Sequence, residues 1–108
     1  MAEGSLKVQV FLVRLKQILK TPERILFINR DKNLEAMERF GLTQRDLLRQ
    51  LSVLEPKHYR KGPENDEDGS EGSIWVFNSS VYNQEFYIKL KLFSVDGVDY
   101  LKILSFHD

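Results

Sequence analysis

The stretch Phe86-Tyr87-Ile88-Lys89-Leu90-Lys91-Leu92 alternates apolar and polar side chains with a period of two. Successive side chains of an extended strand leave on opposite faces. Phe86, Ile88, Leu90 and Leu92 therefore share a core face, and Tyr87, Lys89 and Lys91 share the other. A phenol beside two ammonium groups suits a phosphate, because the cations offset its charge and the hydroxyl can donate a hydrogen bond. The same pattern also describes the solvated side of an antiparallel sheet. Near the end of the chain, Leu104-Ser105-Phe106-His107 puts Ser105 and His107 opposite Leu104 and Phe106. Imidazole exchanges its proton near neutral pH and so suits proton transfer, although a group so near a chain end is more often just exposed. A third segment, Tyr59-Arg60-Lys61-Gly62-Pro63-Glu64, sets two cations and a phenol at a Gly-Pro turn. It leads to Ile74-Trp75-Val76-Phe77, where the indole is either a stacking platform for a nucleobase or a core side chain.

These segments need elements to position them. Residues 5–20 read as an amphipathic helix capped by Ser5, with Val8, Phe11, Leu12, Leu15, Ile18 and Leu19 at helical spacing. Thr21-Pro22 ends it. Ile25 to Asn29 suits a short strand. Asp31 starts a second helix with Leu34, Met37 and Phe40 on one side, stopped by Gly41. Thr43 caps a third helix, with Asp46 in its first turn and Leu47, Leu48 and Leu51 facing inward, and Pro56 ends that region. Ile74–Phe77, Phe86–Phe93 and Val98–Phe106 then read as strands joined by turns at Asn78–Asn83 and Asp96-Gly97. The expectation is one α+β domain over residues 1–108, with N-terminal helices packed on a C-terminal antiparallel sheet of about three to four strands.

Composition narrows the functional classes. Hydrophobic residues are 42% of the 108-residue chain and charged ones 30%, an ordinary globular mixture. The chain has no cysteine, which removes disulfide frameworks and thiolate zinc sites. The opening Met1-Ala2-Glu3-Gly4-Ser5 is unlike a secretory signal, and the apolar run from Val8 to Leu15 is too short to span a bilayer. The expected compartment is the cytoplasm, with no membrane partner. The net charge of zero conceals a division: residues 1–54 hold ten Lys/Arg and six Asp/Glu, and residues 55–108 hold six and ten. Much of the acidic excess lies in Glu64, Asp66, Glu67, Asp68 and Glu71, which read as a solvated loop. The run is not an EF-hand, since the twelfth position, counted from Glu64, is Trp75. There is no P-loop, nucleotide-binding glycine turn or nucleophile elbow, and the two histidines, His58 and His107, lie on dissimilar segments. No cofactor and no metal are expected.

Taken in order and spacing, Tyr59 to Glu64, Ile74 to Phe77, Phe86 to Leu92 and Leu104 to His107 resemble the MqsR family of type II toxins. The resemblance covers residues 50–108 best and is looser over 22–50, where Phe40-Gly41-Leu42-Thr43 looks like the family's helix–helix junction. It implies a RelE-like fold and ribosome-independent mRNA endonuclease activity. It also implies a cognate antitoxin, typically one carrying a DNA-binding domain. The family lysine after the tyrosine falls at Arg60 or Lys61. The family's strand tyrosine falls at Tyr87, its strand lysine at Lys89, and its final basic residue at His107, where the best-known member has lysine. Val76 stands where that member has a polar residue, which departs from the pattern. On this reading Lys61, Tyr87 and His107 are catalytic. Arg60, Trp75, Lys89 and Lys91 bind substrate.

Two other readings remain open. Phe40 to Arg49 resembles part of a helix-turn-helix, in which Gln44, Arg45 and Arg49 would face a DNA groove and the later strands would form a wing. A catalytically inactive relative that only binds a partner protein fits the same residues.

Overall fold

A computed structural model describes residues 6–108. The expected Ser5 cap lies outside the described residues. The helices are α1 (Leu6–Leu19), α2 (Asp31–Phe40) and α3 (Gln44–Ser52). The strands are β1 (Ile25–Phe27), β2 (Tyr59–Glu64), β3 (Ser73–Val81), β4 (Gln84–Val95) and β5 (Val98–His107). They form one mixed sheet in the order β1-β5-β4-β3-β2, in which β1 runs parallel to β5 and the other pairs are antiparallel. The class is α+β, with more strands than the sequence pattern reveals.

The helices cover one face of the sheet. In α1, Val8, Phe11, Leu12, Leu15 and Ile18 recur at the spacing of one helical face, and all are buried. Phe11 stacks on Trp75 and Phe77 of β3, with ring centroids 4.5 and 5.6 Å away. Phe77, Phe86, Ile88, Leu90, Leu101, Ile103 and Phe106 supply the sheet's contribution to the core. Thr43 caps α3 as expected: its Oγ accepts from the Asp46 N–H, and the Asp46 carboxylate accepts from the Thr43 N–H. Gly41, at φ 65°, closes α2 in the left-handed conformation.

The second helix departs from its expected orientation. Leu34 is 47% exposed, whereas Asn33 is buried. The Asn33 amide explains the rotation. Its Nδ2 donates to the carbonyls of Ile28 and Leu104 at 3.0 Å each, and its Oδ1 accepts from the Phe106 N–H at 2.9 Å. Beyond Phe27 no strand among the described residues borders β5 on that side, so this side chain takes up the β5 backbone groups that a longer β1 would have paired.

One strand, β2, has no counterpart in the sequence pattern, and another, β3, is longer than expected. Gly62 and Pro63 argue against a strand, yet β2 forms at the sheet edge, where a missing N–H can face outward. β3 runs on to Val81, and the turn narrows to Tyr82-Asn83, both with positive φ (52° and 64°). That geometry joins two twisted antiparallel strands. Asp96-Gly97 forms the second such turn, as expected, with φ of 53° and 80°. The strands after the helix-turn-helix-like segment therefore build a central sheet beneath the helices and not a separate wing.

The uncovered sheet face as a candidate catalytic surface

The face of the sheet turned away from the helices carries Tyr87 and Lys89, as the alternation on β4 requires. Register then assembles their neighbours. Asn78, Tyr87 and His107 stand opposite one another across β3, β4 and β5. The next row is Lys61, Val76, Lys89 and Ser105, followed by Ile74, Lys91 and Lys102.

A bulge makes this assembly possible. Lys89 pairs with Ser105, but Leu90 pairs with Ile103, so Leu104 is the extra residue on β5. An uninterrupted strand would put Ile103, Ser105 and His107 on one face. With the bulge, Ile103 and Phe106 both turn to the core, while Lys102, Ser105 and His107 share the open face. Leu104 lines a cleft on that open face with Ile74, Lys89 and Lys102, and not the core beside Phe106. The Asn33 bonds to Leu104 and Phe106 hold this kink in place.

Tyr87 and His107 lie side by side, with ring centroids 5.6 Å apart. The His107 Nδ1 is 3.1 Å from the Asp108 backbone oxygen, an atom that only accepts, so Nδ1 carries the proton in this hydrogen bond. Asp108 is itself held by Arg39 at 2.6 Å, which keeps its carboxyl below the ordinary carboxylate range. The two candidate cations on β2 go different ways. Arg60 sits where the β2 register shifts and reaches across β3 to Glu85 at 3.9 Å, whereas Lys61 is 3.9 Å from Glu64 on its own strand.

Two of the expected substrate-binding residues are not available on this surface. Trp75 faces the helices and is buried against Phe11, with its Nε1 donating to the Ser73 Oγ at 2.9 Å. Neither face of the indole is open to a base. Lys91 points to the open face but is 2% exposed. Its ammonium donates to Asp66 at 2.8 Å and to the Ser70 Oγ. A buried ammonium demands such a partner. The acidic segment is therefore pinned onto the sheet instead of extending freely into solvent. Lys91 holds the Asp66 carboxyl below its ordinary value, and the Asp68 N–H adds to the effect. The Ser70 hydroxyl and N–H do the same for Asp68. The folded loop walls a cleft of about 350 Å³ lined by Arg30, Lys89 and Lys102 on one side and Glu64, Asp66, Glu67 and Asp68 on the other.

The second histidine has a local task. The Glu55 N–H donates to the His58 Nδ1 at 2.9 Å, and partial burial, reinforced by the neighbouring Lys57, lowers the imidazole's proton affinity. His58 thus closes the turn before β2. Among the described residues, no three His, Asp or Glu side chains gather as metal ligands, and no helix is long and apolar enough to cross a membrane.

Neither the asparagine clamp nor the bulge was foreseen. The doublet Ile103-Leu104, where the alternation of the strand breaks, is a signal in the sequence that coincides with the bulge. Compared with known proteins, the chain matches no family model and no curated sequence.

Proposed function

We propose that the open face of the sheet cleaves RNA by acid–base catalysis, and that the chain acts as the endoribonuclease toxin of a type II toxin–antitoxin pair. The observation that supports this most directly is the pairing of Tyr87 with His107, ring against ring, one row from Lys89. Phenol, imidazole and ammonium on one rigid sheet provide the groups that phosphodiester transesterification needs. Lys89, with Lys61 in the same row of the sheet, offers cations to a polyanion despite a net charge of zero.

The reaction follows from RNA's own chemistry. A base takes the ribose 2′-hydroxyl proton, and that oxygen attacks the adjacent phosphorus. The bond to the 5′-oxygen breaks, and an acid protonates it, leaving a 2′,3′-cyclic phosphate and a 5′-hydroxyl. A phenol keeps its proton at neutral pH, so Tyr87 takes the acid's role. The neutral His107 ring, with its Nδ1 directed to the Asp108 backbone oxygen, takes the base's role through Nε2. Lys89 and Arg60 stabilise charge on the non-bridging oxygens, with Lys61 beside them. Arg60 is favoured over Lys61 as the family-like cation because it crosses β3 towards the Tyr87 strand.

The resemblance to the MqsR family extends this reading to a RelE-like fold, a cytoplasmic mRNA substrate free of the ribosome, and an antitoxin partner with a DNA-binding domain. The α+β sheet with its helices on one side is compatible with that fold. The test is to incubate the purified protein with structured mRNA in EDTA and map ends by primer extension. Tyr87→Phe and His107→Ala, each folded by circular dichroism, serve as controls beside Lys89→Ala. Discrete cuts ending in cyclic phosphate should fall about 100-fold or more in the first two variants, within the range for one acid–base group. Cuts that survive the Tyr87→Phe, His107→Ala double change would overturn the assignment.

A further inference from the structure

On the opposite side of the molecule from Tyr87 and His107, α1 turns an apolar stripe to solvent. Leu6, Val10 and Val13 are 72%, 49% and 61% exposed. Their spacing of four and three residues places them along one line of the helix. They are separate from the buried line of Val8, Phe11, Leu12, Leu15 and Ile18, so the sheet does not use them. The stripe does not lie on a smooth convex surface. On one flank Leu6 and Val10 border a groove of about 350 Å³ that continues over Phe11, Pro63, Trp75 and Leu92. On the other, Val13 borders a smaller one of about 230 Å³ between α1 and the Leu54-Glu55-Pro56 segment.

The charge along the helix itself has one sign. From Leu6 to Lys20 the chain carries Lys7, Arg14, Lys16 and Lys20 and no acidic residue. Arg14 is engaged by Asp99 through two hydrogen bonds of 2.8 and 3.0 Å, which fixes that side of the helix to β5. An apolar stripe between grooves, with Lys7, Lys16 and Lys20 along its helix and Glu55 on the Val13 flank, complements an amphipathic segment with apolar side chains on one face and carboxylates beside them.

We propose that α1 is a docking surface for an acidic amphipathic segment of a partner protein. The partner's apolar side chains fill the grooves on either flank of Leu6, Val10 and Val13, and its carboxylates meet Lys7, Lys16 and Lys20. A second copy of this chain fits poorly, because stripe-to-stripe contact would set these cations against each other. A bilayer fits poorly too, since its flat interface cannot fill a groove whose floor, Trp75, is 5% exposed. The surface is independent of whether the open face cleaves RNA. A partner held there leaves Tyr87 and His107 uncovered, because the sheet separates the two.

Trp75 is the chain's one tryptophan, so its emission reports directly on the groove. The probe is a synthetic helical peptide of about five turns, long enough to be helical when bound. It has leucines at a spacing of four and three and glutamates beside them. Its charge-reversed twin with lysines, vesicles rich in phosphatidylglycerol, and sedimentation at rising protein concentration complete the set. The acidic peptide should shift Trp75 emission saturably, with a Kd in the micromolar range that weakens about tenfold or more at 0.5 M salt. Val10→Asp combined with Val13→Asp, both at exposed positions, should abolish the shift while leaving thermal unfolding unchanged. RNA cleavage, if present, should proceed at the same rate with the peptide bound. Equal binding of the lysine twin, binding unaffected by the double change, binding of the vesicles in place of the peptide, or self-association that buries the stripe would each overturn the proposal.

Discussion

Truncating Asn33 to alanine tests the link between packing and the open face. The amide is 5% exposed and satisfies three backbone groups: the Ile28 and Leu104 carbonyls and the Phe106 N–H. Leaving a buried polar group without its partner costs about 1–3 kcal/mol. The three costs do not add fully, because the cavity left by the amide can admit a water that recovers part of the bonding. A net loss of about 3 kcal/mol is expected, a large share of the roughly 5–15 kcal/mol that holds a domain together. At about 4–8 °C per kcal/mol for a small domain, the melting temperature should fall by about 12–24 °C. Urea and thermal unfolding followed by far-ultraviolet circular dichroism give both numbers. Leu34→Ala, next door but 47% exposed, is the control and should stay within about 0.5 kcal/mol of the parent. Asn33→Asp adds a pH signature. Its second oxygen would face two carbonyl oxygens where an N–H now donates, so the folded state prefers the protonated acid and raises its proton affinity above the unfolded value. A raised acid is best tolerated below the unfolded value near 4, and the deficit should grow as pH rises through the folded one. An Asn33→Ala protein within 0.5 kcal/mol of the parent, or an Asn33→Asp protein with no such pH dependence, would refute the clamp.

Other outcomes follow from single side chains. His58 has its proton affinity lowered by burial, so its contribution is complete above the unfolded value near 6.5 and is lost as pH falls through the lower folded one. Stability curves for the parent and His58→Gln should therefore converge as pH falls below the unfolded value, and curves that stay parallel would sink the capping role. Lys91→Met removes one partner of the ion pair and leaves the Asp66 carboxylate behind. That carboxylate is 21% exposed and can turn to water, so the loss should stay at about 1–3 kcal/mol, below that of a fully buried orphaned charge. Hydrogen exchange across residues 65–72 should nevertheless accelerate, because the Asp66 and Ser70 anchors are gone. A loss above about 3 kcal/mol with unchanged exchange would show the pair stabilising the core instead of the loop. Gly62→Ala should be strongly destabilising. Its φ is +124°, and an added Cβ would come within 2.9 Å of the Trp75 Cα, a backbone contact that cannot rotate away. A Gly62→Ala protein that melts with the parent would refute that contact.

Local chemistry was legible in the sequence wherever its cause is local. The period-two alternation from Phe86 to Leu92 determined the parity of Tyr87 and Lys89 before any fold was in view. The Thr43–Asp46 box, Gly41 and Asp96-Gly97 marked their boundaries because caps and tight turns depend on residues only a few positions apart. Tertiary structure decided the rest. The β1 strand, with residues as few as Ile25–Phe27, joins β5 across most of the chain, and no nearby residue announces such a pairing. Asn33 turns inward past the more apolar Leu34 because the distant strand β5 presents the Leu104 carbonyl and the Phe106 N–H there, beside the nearby Ile28 carbonyl. Trp75 became core and Lys91 became buried for one shared reason: which face of a strand is covered depends on what packs on it from elsewhere. α1 covers the first, and the acidic loop covers the second. The bulge at Leu104 is the clearest case. It sets His107 beside Tyr87 by shifting one residue, and only the demand that Ile103 and Phe106 both enter the core determines where that shift falls.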